Sequence, residues 1–149
     1  MRAPLYLEDL AVGQRFVTDE VALDAAAIQA FAKAFDPQPF HTDETAAKDT
    51  FFGGLAASGW HTAALTMKLQ VESGPALAGG MIGAEVELRW PRPVRPGDTL
   101  HVESEVLAVT PSRSRPDRGL VTLKSETRTR DGAVVQVQTA KLLVWRRPL

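Results

Sequence analysis

Hydrophobic spacing divides the chain into a helical first half and a strand-rich second half. Gly13 to Leu23 is expected to form a first strand, after which Asp24 can cap a short helix. Ala27, Ile28, Phe31, Ala32 and Phe35 fall on one face of that helix. The pattern stops at Asp36-Pro37-Gln38-Pro39-Phe40-His41, because prolines cannot continue a helix and bias their predecessors towards extended geometry. Thr42 or Asp43 can cap a second short helix through Lys48. Phe51 to Ala57 reads as a loop, and Ser58 as the cap of the main helix, Gly59 to Glu72. Trp60, Ala63, Ala64, Leu65, Met67, Leu69 and Val71 cover more than one stripe of it, the mark of a buried helix.

From Met81 the period becomes two. Ala84, Val86, Leu88 and Trp90 alternate with Glu85, Glu87 and Arg89, as in a strand with one wet face. Leu100 to Val109, Leu120 to Thr129 and Ala133 to Trp145 continue the series, with Asp131-Gly132 as a hairpin turn. In the last strand the apolar parity switches between Val137 and Ala140, which predicts a bulge near Thr139 or burial of both faces. The expectation is α+β: one domain over residues 1–149, with an antiparallel sheet of about five strands around one buried central helix. Such an open sheet leaves edge strands, and pairing edges in a homodimer or higher homo-oligomer is one way to cover them.

Composition adds exclusions. The 149 residues fit one domain, and 44% hydrophobic with 23% charged is ordinary for a globular chain. A net charge of -1 gives no global field for nucleic acid. Arginines cluster locally at Arg89, Arg92 and Arg95, at Arg113, Arg115 and Arg118, and at Arg146 and Arg147. These are either solvated loop charge or a contact for ligand phosphates. The absence of cysteine excludes a disulfide framework, a thiol nucleophile and a thiolate metal site. The first residues lack a signal-peptide pattern, and no apolar run approaches the ~20 residues of a membrane span, so a cytoplasmic protein is expected.

Two segments carry candidate chemistry. Asp36 and His41 sit in the proline-stiffened segment, a carboxylate five positions before an imidazole. Such a pair can orient a water and move its proton near neutral pH. The spacing alone does not bring them together, since five extended residues span ~17 Å. Read alone, the pair is a capping Asp and a surface His. The second segment, Phe52 to Trp60, feeds small residues into the N-terminus of the main helix. Backbone N–H groups point out of such an end, and Gly59 permits close approach, which suits an oxyanion site. The competing reading is a Ser58 cap with tight helix packing.

Together the two segments resemble the MaoC-like dehydratase or (R)-specific enoyl-CoA hydratase family. Its signature, Gly-Asp-x-Asn-Pro-x-His-x-Asp followed by Phe-Gly-Gly and a glycine leading into the central helix, is matched by Asp36, Pro39, His41 and Asp43, then by Phe52, Gly53, Gly54 and Gly59. Phe35 replaces the usual Gly, and Gln38 the usual Asn. The resemblance implies a hot-dog fold and a lyase that interconverts trans-2-enoyl and (R)-3-hydroxyacyl thioesters. It implies Asp36 and His41 as the catalytic pair, with the Gly59 N–H on the enolate oxygen and Ser58 shaping that site. No metal or redox cofactor is implied; coenzyme A or an acyl carrier would be part of the substrate.

Other residues are weighed more lightly. His61, one turn into the helix, is read as a packed histidine and His101 as an exposed strand residue. Trp60, Trp90 and Trp145 are read as core or dimer contacts. A hot-dog thioesterase would need an acid near the helix start, where Ala56 to Gly59 supply none. A non-catalytic acyl-thioester-binding module should have lost Asp36 or His41. A metal hydrolase using Asp36, His41, Asp43 and His61 matches no standard ligand spacing.

Overall fold

Asp24 caps the first helix as its sequence position requires, its carboxylate accepting the Ala27 N–H at 2.8 Å. This helix, α1 (Ala25–Phe35), buries Ile28 and Ala32, while Phe35 stays 73% exposed. The computed structural model describes residues 2–149. The prolines do not simply interrupt the chain. Pro39 starts a new one-turn helix, α2 (Pro39–Thr42), at a first-turn position where its missing N–H costs nothing. Asp43 then caps α3 (Glu44–Ala47), accepting the N–H groups of Thr45 and Ala46.

The predicted first strand is split into β1 (Arg15–Val17) and β2 (Val21–Ala22), both antiparallel to β4 (Thr99–Pro111). With β3 (Ile82–Arg89), β5 (Arg118–Thr129) and β6 (Val134–Trp145) they form one six-stranded antiparallel sheet. Its order is β1-β4-β5-β6-β3, with β2 also on β4, so β3 is an outer edge. Asp131-Gly132 lies in the β5–β6 turn, where Gly132 adopts φ +90°. The bulge that switches the parity of β6 sits earlier than Thr139. Thr127 pairs with Gln136 and Arg128 with Val134, so Val135 is the extra residue. Val135 and Gln136 are therefore both buried, and even positions face inward from there to Val144.

The main helix, α4 (Gly59–Ser73), lies against the sheet, capped by Ser58, whose hydroxyl accepts the Trp60 N–H at 3.2 Å. The side that it buries is not the one its apolar residues suggest. Thr62, Thr66, Leu69 and Gln70 are buried, while Trp60, Met67 and Val71 are exposed. Opposite that face the sheet presents Ser104, Ser125, Thr127, Gln136 and Gln138, all buried. Thr66 Oγ1 lies 2.6 Å from Thr127 Oγ1 and accepts the Gln136 Nε2–H at 3.1 Å. The Gln70 Nε2 donates to Ser125 Oγ at 2.7 Å, which is itself 2.8 Å from Ser104 Oγ.

This polar belt separates two apolar clusters. One joins Leu7 and Leu10 to Val106, Val121, Leu123 and Leu142; the other joins Leu23, Ile28 and Leu55 to Val94, Leu100 and Val135. The second cluster anchors α1 and the 55–57 segment, and so positions the candidate site.

Candidate active site

The turn that Pro39 begins sends the His41 side chain inward, where the residue is 5% exposed. The backbone closes behind it: the Ala56 N–H donates to the Phe40 carbonyl at 3.0 Å, and the Ala57 N–H to that of Val94 at 2.9 Å. His41 Nδ1 lies 2.6 Å from the Ala56 carbonyl oxygen. A carbonyl only accepts, so Nδ1 carries the proton, and Nε2 is left to face the cavity chemistry. Phe40 and Phe52 flank the imidazole at ring-centroid distances of 4.6 and 5.8 Å.

Asp36 ends α1, and its carboxylate oxygen Oδ2 stands 3.4 Å from His41 Nε2. The same Oδ2 accepts the Ser58 hydroxyl at 2.7 Å, while Oδ1 accepts the Gln38 amide at 2.6 Å. Burial alone would push this carboxyl up, but the hydrogen bonds from Gln38 and Ser58, helped by the neighbouring His41 imidazole, outweigh it and hold it below its ordinary value. Gln38 thus does reach Asp36 with its longer side chain. Phe35 points away, its ring packing on Phe31 at 5.1 Å.

The four candidate residues meet at one place. Asp36, His41 and Gly59 line a cavity of about 490 Å³ with Phe51, Phe52, Thr62, Trp90 and Val94, and Ser58 is bonded to Asp36 directly behind it. The volume falls in the range of small-molecule sites. Sequence reasoning placed Trp90 only in the core or a dimer contact, yet the indole forms a wall here. Its position after the last strand residue, beside Pro91, was the available signal.

Other candidates fall elsewhere. Asp43 is engaged as the α3 cap. His61 stacks on Phe31 at 4.4 Å, with Nδ1 buried and unpartnered, and burial lowers its imidazole below the ordinary value. His101 is paired with Glu103 at 2.8 Å. Among the described residues no group of three or more His, Asp or Glu side chains converges as a metal site. Arg95 donates to the carbonyls of Phe52, Gly54 and Leu55, fixing the loop at the cavity mouth. In that loop Gly53 adopts φ +64°. A hollow of about 680 Å³ near Tyr6 and Trp145 holds none of the four candidates, and its Arg147 is bound to Asp9. Arg92 alone of the arginine groups borders the candidate cavity. Among the described residues no helix is long and apolar enough to cross a membrane.

The family model described as "MaoC like domain" matches residues 9–129. A MaoC-like dehydratase from Rhodospirillum rubrum is 64% identical, with TM-score 0.95 over 97% of this chain and 99% of that one. An (R)-hydratase from A. caviae involved in PHA biosynthesis is 30% identical, with TM-score 0.71 over 95% of this chain and 99% of its own. A 3-hydroxybutyryl-CoA dehydratase from Methylorubrum extorquens is 34% identical over 113 residues, covering 74% of this chain and 69% of the relative. The chain belongs to the MaoC-like domain family, with a hot-dog fold and relatives of the hydratase and dehydratase class.

Proposed function

We propose that the protein adds water to trans-2-enoyl thioesters, and removes it from (R)-3-hydroxyacyl thioesters, with Asp36 and His41 as the catalytic pair. The observation that carries this reading is the approach of His41 Nε2 to Asp36 Oδ2 at 3.4 Å in a cavity wall, with Nδ1 already committed to Ala56. A water held by both groups on the cavity side gives its proton to the pair as its oxygen attacks Cβ. The electron pair of the double bond moves onto the thioester, and the enolate oxygen is met by the Gly59 N–H at the positive end of α4. The pair then returns a proton to Cα, so the protein ends as it began. Ser58 and Gln38 keep Asp36 ionised and oriented before the proton is taken up. The steps need no metal or redox group. The acyl group comes as a thioester of coenzyme A or a carrier, and Arg92 on the cavity rim is placed to meet its phosphates. A cytoplasmic setting suits such a substrate.

The working unit in this reading is a homodimer. The β3 edge exposes Val86 at 50%, and α4 exposes Trp60 at 59% and Val71 at 57%, large apolar side chains that a second copy would cover.

The thioesterase alternative regains one argument. Folding brings the Asp36 carboxylate to the start of α4, which residues 56–59 alone do not supply. Asp36→Asn and His41→Ala test the assignment: each is expected to lower hydration of enoyl-CoA by ~10²–10⁴-fold with an unchanged circular dichroism spectrum. Near-wild-type hydration in both would sink this pair. Free thiol released at the rate of substrate loss would move the chemistry to thioester cleavage.

A further inference from the structure

Trp90 forms one wall of the cavity beside Asp36 and Gly59. A Cβ built on Gly59 would lie 2.6 Å from Trp90 Cε2, so the indole rests on the Cα of the residue whose N–H faces the thioester oxygen in the proposed reaction. The ring is held on further sides. Its Nε1–H donates to Gln136 Oε1 at 2.9 Å, and Trp60 packs on it edge to face with centroids 5.4 Å apart. Gln136 is itself fully buried and donates to Thr66 Oγ1 at 3.1 Å.

Past Gln136 lies the interval between α4 and the sheet. It is filled by Thr66, Gln70, Ser104, Ser125 and Thr127, all buried, with Thr66 bonded to Thr127 and Gln70, Ser104 and Ser125 bonded among themselves. A hydrocarbon entering it would leave buried hydroxyls and amides unpaired. The barrier is therefore both a wall and a polar floor.

We infer that Trp90, locked by Gln136, determines acyl-chain specificity, and that the site takes short-chain acyl thioesters. The inference rests on the hydratase reading. The test is kcat/KM for hydration of crotonyl-CoA, trans-2-hexenoyl-CoA and trans-2-octenoyl-CoA by the full chain and by Trp90→Ala and Trp90→Leu. Circular dichroism and sedimentation identify variants that keep fold and assembly. The wild-type protein should prefer crotonyl-CoA to octenoyl-CoA by at least about tenfold, within what chain-length discrimination in an apolar pocket reaches. The folded variant should cut that ratio to about threefold or reverse it. Equal wild-type use of both substrates, or an unchanged ratio in a folded variant, overturns the role of Trp90 and leaves the hydratase reading standing. If neither variant folds, the wild-type ratio alone decides the chain-length claim. Absence of hydration on every substrate removes the hydratase reading, and this inference with it.

Discussion

Asp36 accepts one donor on each carboxylate oxygen, and this balance makes its acid–base behaviour predictable. Ser58→Ala removes the donor to Oδ2 but leaves the burial, so the carboxyl should rise. If Asp36 is the base, the acid limb of kcat/KM should move to higher pH in Ser58→Ala, and a limb that stays put would contradict that role. Because the folded carboxyl lies below its unfolded value, its contribution to stability is present above the unfolded pKa. It is lost as pH falls through the folded one. The same substitution removes the α4 cap, at a cost of about 1 kcal/mol in urea unfolding. His61 behaves oppositely in charge. Its imidazole is buried neutral, so stability should fall as pH drops below the ordinary histidine range. A His61→Phe protein should show a flatter melting profile there, and identical profiles would remove His61 as the cause.

At the scale of elements, α4 is held by hydrogen bonds where a helix of its composition would be expected to use hydrocarbon. Thr66→Val should cost about 1–3 kcal/mol in urea unfolding, because it strands the Gln136 amide and the Thr127 hydroxyl in the belt. A neutral result would mean that the belt is not a structural bond network. The contrast shows what the sequence could reveal. The Asp24 and Ser58 caps, the strand periods of β4 to β6 and the 131–132 turn are local signals, and each was legible. The belt was not, because Ser, Thr and Gln carry no apolar period and their partners come from four separate elements. The split between β1 and β2 and the Val135 bulge depend on pairing across the sheet. Asp36 and His41 were legible as residues, but their meeting was not. It depends on Pro39 opening a helix, where proline was read as ending one.

For the whole molecule, exposed Trp60, Met67 and Val71 on α4 and Val86 on the β3 edge require an explanation that the polar belt does not provide. A homodimer through that surface predicts twice the chain mass in sedimentation equilibrium. Val86→Lys should shift the chain towards monomer, because a charge on an edge strand opposes pairing. A monomeric wild-type protein would count against the dimer while leaving the Asp36–His41 geometry untouched. The chemistry itself is tested most directly by mixing the purified protein with crotonyl-CoA. Loss of the conjugated-thioester absorbance and the configuration of the product are then followed. The account predicts 3-hydroxybutyryl-CoA of (R) configuration with no free thiol. Thiol release without hydration, or an (S) product, would contradict it.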